Sequence, residues 1–157
     1  MCKLCWLSVL LLVMSLLGMT YKFIIRGNVA PASDGRVALQ LTEDERNLVL
    51  GEMRAFLASV QQIVQGIAEE DMGQVATAAT RVGRAVQGDM PGTLVGKLPI
   101  EFKKLGFDTH SKFDQLSLDA REFADSNHTL AQLGELLQNC VGCHAAYRIG
   151  IEADSLR

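Results

Sequence analysis

Four stretches of the chain place apolar side chains at helical spacing. Val49, Met53, Phe56, Val60, Ile63 and Ile67 step by 4, 3, 4, 3 and 4, which puts them on one face of an α-helix. Leu50, Leu57 and Val64 widen that stripe on one side and predict a substantially buried helix reaching about Glu69. Thr42-Glu43-Asp44-Glu45 ahead of it fits a capping box: the Thr42 hydroxyl takes the free amide three residues on, and Glu45 reaches back. Met72, Val75, Ala79, Val82 and Val86 predict a second helix from about Asp71 to Gln87. The segment from Gly88 to Pro99, with Gly88, Pro91, Gly92, Gly96 and Pro99, reads as one long internal loop. A third helix starts near Pro99, a residue tolerated in the first turn, with Phe102, Leu105, Phe113, Leu116, Ala120 and Phe123 on its inner face. After the polar break Asp125–Thr129, Thr129-x-x-Gln132 offers another capping signature. Leu130, Leu133, Leu137, Cys140, His144 and Tyr147 then step by 3, 4, 3, 4 and 3. Four amphipathic helices, three of them joined to a neighbour by short links, predict an all-α antiparallel four-helix bundle over residues 41–157.

Ahead of the bundle the pattern changes twice. Residues 4–25 are almost wholly apolar except for Ser8, Ser15, Thr20 and Lys22. As a helix this run is ~33 Å long, enough to cross a bilayer, so residues 1–26 form an N-terminal signal-anchor or transmembrane helix. The charged start and apolar run also suit an export signal, and Ala30-Pro31-Ala32 offers a cleavage site. Anchor and cleaved signal therefore both stand, the first leaving the domain tethered and the second releasing it. Residues 27–40, with Gly27, Asn28, Pro31, Ser33, Asp34 and Gly35, read as a linker. Cys2-Lys3-Leu4-Cys5 is followed by Trp6, and its place at the membrane edge suits ordinary thiols or acylation.

Charge narrows the function. Residues 37–157 carry 11 Lys and Arg against 17 Asp and Glu, a net −6 where the whole chain is −3. Nucleic-acid binding draws on Lys/Arg clusters and counterion release, so that class of partner is excluded. Acidic groups such as Glu69-Glu70-Asp71 and Asp119, Glu122 and Asp125 read as solvated faces and helix ends. Nothing offers a nucleophile, base and orienter set, so an enzyme is not expected.

The chemistry lies at the end of the last stripe, in Cys140-Val141-Gly142-Cys143-His144. This is the C-x-x-C-H pattern of covalent haem attachment. On one helical turn, thiols at i and i+3 can each add to a vinyl group, and the next imidazole faces the iron from the same side. Gly142 keeps the surface between the two sulfurs low. A disulfide is disfavoured at this helical spacing, and a zinc site would want more than His110 and His128. A thioredoxin-type pair lacks its βαβ context. Because c-type haem is attached outside the cytoplasm, the bundle is expected on the periplasmic side.

With the motif continued as Ala145-Ala146-Tyr147-Arg148 on the last helix of a bundle, residues of about 40–150 resemble the cytochrome c-prime family. The resemblance implies one haem c among the helices, held by Cys140, Cys143 and His144. Arg148, one turn past His144, is implied to lie near a propionate; read alone it is equally a solvated cation at a helix end. One branch of the family leaves the sixth position of the iron open to small gases. Glu52-Met53-Arg54, two turns into the first helix, resembles the other, low-spin branch, which is associated with electron transfer and has Met on the iron. Met53 alone reads as core packing as readily as a ligand. Met72 reads as core, Met90 as a loop residue, His110 as a partly buried or surface histidine, and His128 as a loop residue.

The expected function is a membrane-tethered monohaem electron carrier with redox protein partners. The alternatives are a five-coordinate gas-binding protein and a haem-carrying subunit of a membrane complex. A homodimer through the first two helices is implied by the resemblance, and the small residues Ala76, Ala78, Ala79, Gly83 and Ala85 permit it.

Overall fold

The computed structural model describes residues 3–152, apart from the side chains of Gln87 and Asp89. It is mostly helical, in the order α1 (Lys3–Thr20), β1 (Val29–Pro31), β2 (Val37–Leu41), α2 (Glu43–Ala68), α3 (Met72–Thr80), α4 (Gly92–Lys97), α5 (Ile100–Glu122), α6 (Ser126–Ala146) and β3 (Tyr147–Ile151). The three strands make one sheet, so the fold is not all-α. Cys2 and residues 153–157 lie outside the described residues.

α1 continues through a wider π-helical stretch, Tyr21–Arg26, and this 24-residue rod has no buried residue. It is long and apolar enough to cross a membrane. Its end is fixed to the domain. The Lys103 ammonium donates to the carbonyls of Phe23 and Ile24 at 3.1 and 3.3 Å. The Asn28 amide donates to the Lys97 carbonyl at 2.6 Å. Gly27, at φ +66°, lies against the backbone of Lys97 and Leu98, where a Cβ would collide.

The expected linker is thus a correction: residues 29–31 and 37–41 are strands. β1 pairs antiparallel with β2, Val29 opposite Leu39, across a turn in which Gly35 takes φ +81°. β2 pairs parallel with β3, Val37 opposite Tyr147 and Leu41 opposite Ile151. Gly and Pro in this stretch mark the turn, and the short run Val37–Leu41 finds its partner at the far end of the domain, where periodicity offers no warning.

The capping box forms as expected: Glu45 N donates to the Thr42 hydroxyl at 3.3 Å and Thr42 N to Glu45 Oε2 at 2.9 Å. The second helix is shorter than the pattern implied. α3 stops at Thr80, because Gly83 packs against Asp114, whose carboxylate accepts from Arg84 N at 3.1 Å, and the Val82 carbonyl is taken by His110. A single 3-10 stretch follows (Arg84–Asp89), and the expected long loop contains α4. α6 begins three residues before the expected capping signature. Asp125 caps it, accepting from Asn127 N and His128 N at 2.8 and 3.1 Å, while Thr129 is buried and turns back to the Asp125 carbonyl. α6 ends at Ala146, so Tyr147 and Arg148 belong to β3, not to the helix.

Successive contacts give the helix directions. Gln62 meets Gln74 and Arg81 while Gly66 lies against Asp71 and Val75, Ala76 meets Ser117 while Arg84 meets Asp114, and Asp108 meets Asn139 while Asp119 meets Gln132, so consecutive long helices run antiparallel. Between them lies one core, with Phe56 stacked on Phe113 at 5.4 Å and Ile63, Val75, Leu116, Leu133 and Leu136 fully enclosed. A second core, Leu39, Leu41, Val49, Leu94 and Leu98, sits under the sheet. Ala76, Ala78 and Ala79 are buried inside this chain against its own helices, while Ala85 is exposed. The widened flank of the first stripe is also corrected: Leu57 is 71% exposed and Val64 49%. Asp119, expected in a solvated face, is buried, its oxygens taken by Gln115 at 2.8 Å and by Gln132.

Lys97 joins three parts of this architecture through Glu45 Oε2 at 2.7 Å and Glu152 Oε1 at 2.9 Å. Burial pushes the Glu45 carboxyl up, but the ammonium of Lys97 and the Thr42 amide and hydroxyl outweigh it and hold the group below its ordinary value. Its stabilisation is therefore complete above that ordinary value and is lost as pH falls through the lower, folded one. In denaturant titrations of the full chain in detergent, Lys97→Met should cost about 2 kcal/mol at neutral pH. It should also flatten the fall in stability as pH drops below about 5.

Candidate functional site

Two cavities meet at the C-terminal end of α6. The first, of about 430 Å³, lies between α2, α5 and α6 and includes Met53, Phe56, Leu57, Phe102, Leu137, Cys140, Cys143 and His144 in its wall. The second, of about 450 Å³, lies toward the sheet and is lined by Arg36, Leu39, Arg46, Phe102, Tyr147, Arg148 and Ile149 among others. Val49, Leu50, Met53, Phe102, Cys143 and His144 belong to both. The sequence motif and Met53, far apart in the chain, thus share one apolar space.

Each residue arrives there for a local reason. Cys140 and Cys143 are one turn apart on α6, half-buried, and both free thiols. His144 follows with an exposed side chain in the last turn. A Cβ at Gly142 would meet no protein atom, so packing within the chain does not demand glycine there. Met53 sits where the two cores touch and packs against both. Met72 is core and lies 3.8 Å from the Thr129 hydroxyl. Met90 lines the first cavity as well, although its sequence neighbourhood reads as loop.

His110 is buried, more so than expected, and has no ring nitrogen to spare. Nδ1 is 2.7 Å from the Val82 carbonyl and Nε2 is 3.0 Å from Glu52 Oε1, with the ring against Phe56 at 4.9 Å. Burial alone lowers its affinity for a proton; the Glu52 carboxylate and the Val82 carbonyl reverse that and hold its pKa above the ordinary value. His128 is exposed, 3.5 Å from Asp119. Arg148 lines the second cavity from β3 and lies 3.4 Å from Asp34. Asp34 also pairs with Arg36 at 2.7 Å, and the side-chain and backbone hydrogen bonds from Arg36 hold its carboxyl below the ordinary value.

Pattern reading passed over Arg36, Arg46 and Phe102 as parts of this site. Arg46 carried a usable signal, since it lies seven residues before Met53 and so on the same helix face. Arg36 carried none, because the pairing of β2 with β3 brings it in.

Burial pushes both motif thiols up, and the neighbouring Cys140 adds to the effect on Cys143. That is opposite to the lowered thiol of a redox-active dithiol. Among the described residues no group of three or more His, Cys, Asp or Glu lies close enough together to hold a metal ion. Two free, protonated thiols on one turn, an adjacent imidazole and an apolar wall are a donor set that fits haem. Comparison with family models, with curated proteins and with solved structures finds no match for this chain.

In the chain expressed without haem, iodoacetamide should modify Cys140 and Cys143 slowly at neutral pH. The rates should keep rising above the ordinary thiol range when followed by peptide mass spectrometry. Fast modification at neutral pH would instead mark a redox-active pair.

Proposed function

We propose that this protein is a membrane-tethered monohaem c-type cytochrome of the c-prime kind, carrying single electrons on the periplasmic side. The observation that carries the reading is the convergence of Cys140, Cys143, His144 and Met53 on one apolar space. Cys140 and Cys143 would hold haem c through thioethers, and His144 and Met53 would ligate its iron. When bound, haem supplies an iron that changes oxidation state by one electron. The chain's part is to keep that centre in an apolar setting and to supply a neutral imidazole and thioether, a pair that favours the reduced state. The helices α2, α3, α5 and α6 serve as a four-helix bundle around it, closed at one end by the sheet.

The first helix supports the tethered form. Cleavage at Ala30-Pro31-Ala32 would remove β1 from the sheet and cut Asn28 away from Lys97, Gln40 and Glu152. A retained anchor keeps these bonds, so we assign residues 1–26 to the membrane. Electrons would pass to and from redox protein partners that dock against the domain.

When the full chain is expressed with a c-type maturation system, the wild type should carry one covalent haem with a low-spin spectrum. Met53→Ala should convert it to high-spin, admit carbon monoxide and lower the midpoint potential. A wild type that is already high-spin and binds carbon monoxide readily would favour the gas-binding alternative and remove Met53 as ligand. Loss of covalent haem in Cys140→Ser and Cys143→Ser, read by intact mass, tests the attachment itself.

A further inference from the structure

His110 lines the motif cavity and is only 4% exposed, yet the haem reading gives it no task. Its Nδ1 is 2.7 Å from the Val82 carbonyl and its Nε2 is 3.0 Å from Glu52 Oε1. A carbonyl and a carboxylate only accept, so both ring nitrogens donate and the ring is an imidazolium paired with Glu52. Taking an ion pair out of water is costly, and apolar side chains of similar size would fill the same space. What the pair adds is direction. Apolar surfaces can slide on one another, whereas two hydrogen bonds from one rigid ring fit a single register.

Three elements meet at that ring. His110 belongs to α5, Val82 follows the end of α3, and Glu52 belongs to α2. Phe56, one turn beyond Glu52, lies against the same ring at 4.9 Å. One face of α2 is thus fixed on α5 over a full turn. Among the described residues, residues 46–60 make no other side-chain hydrogen bond or ion pair, so His110 is the polar hold on this stretch of α2. Met53 follows Glu52 directly and is therefore turned about 100° around the helix from the held face. Cys143 and His144 line both of the cavities that Met53 lines.

We propose that His110 is the positioning residue for Met53, holding α2 through Glu52 and Phe56 at the rotation that turns the thioether toward the Cys140–His144 turn. This role rests on the reading of Met53 as an iron ligand and deepens it. His110 itself ligates nothing, since both of its nitrogens are engaged.

The test uses the full-length haem-loaded protein in detergent, comparing wild type with His110→Leu, His110→Gln and Glu52→Leu. The control is Leu116→Ala, at a side chain enclosed in the helical core that lines neither motif cavity. Haem attachment and fold are established first, by intact mass and circular dichroism. Three quantities are then read: the thioether-to-iron charge-transfer absorption of the oxidised protein, its low-spin fraction, and hydrogen exchange at residues 50–57. His110→Leu and Glu52→Leu should each lose most of the charge-transfer band, become partly high-spin and exchange faster over that stretch. His110→Gln, whose amide can still donate to Glu52, should restore much of the band. Leu116→Ala should lower the thermal midpoint while keeping the band. Where His110→Leu does not accumulate, Glu52→Leu tests the same contact from its other side. A His110→Leu protein that carries haem and keeps the full band overturns the proposal. So does a Leu116→Ala protein that loses the band in equal measure, because general loosening would then be the cause. A wild type without covalent haem, or one whose band is absent or survives Met53→Ala, overturns the parent reading and this role with it. That failure is told apart because it shows before any change at His110 is made.

Discussion

The parallel pairing of β2 with β3 is the constraint on which the candidate site depends. It takes the chain out of the helix directly after Ala146 and binds it beside a segment from the other end of the domain. Five residue pairs in register, with Leu39 and Leu41 fully buried beneath them, hold the end of α6 at a fixed place. Without that pairing His144 would sit on a fraying helix end, and Arg36 would have no carbonyls of His144 and Tyr147 to hold. Parallel strands need a long connection between them, and here the whole helical domain is that connection.

Lys97 ties the sheet to the helices. It meets Glu45 at the start of α2 and Glu152 just past β3, while its carbonyl receives Asn28 at the exit of the apolar rod. One side chain and one carbonyl therefore join the rod, the sheet, the first long helix and the C-terminal strand. Since the pairs are mostly shielded from water, they are screened less than surface ion pairs. The rod is consequently mounted on the domain, not strung from a flexible linker.

Between the two cores the packing leaves room. Phe56 and Phe113 fill one core and Leu39, Leu41 and Leu94 the other, and Met53 touches both. The space on either side of Met53 is the space that Cys143 and His144 face. Close packing is the rule in protein interiors, and the space beside the Cys140–His144 turn is the exception. Few aromatic rings, 6% of the chain, are available to fill it.

Local rules read much of this directly. The capping box at Thr42, the central α2 stripe, the α5 stripe as far as Ala120 and the apolar first helix each depend on residues within a few positions of one another, and each is present where the pattern puts it; Phe123, expected on the inner face, lies past the end of α5 and is exposed. The failures share a cause as well. α3 stops early because Asp114, on another helix, occupies the place beside Gly83. Tyr147 and Arg148 leave the helix because β2 claims them, and the 27–40 segment becomes sheet because β3 exists. Periodicity by itself thus determined the helices, the chemistry-bearing turn and the membrane-length segment, all set by near neighbours along the chain. The tertiary structure alone decided where helices end and which arginines surround the cavity, because those depend on groups that meet only after the chain has folded.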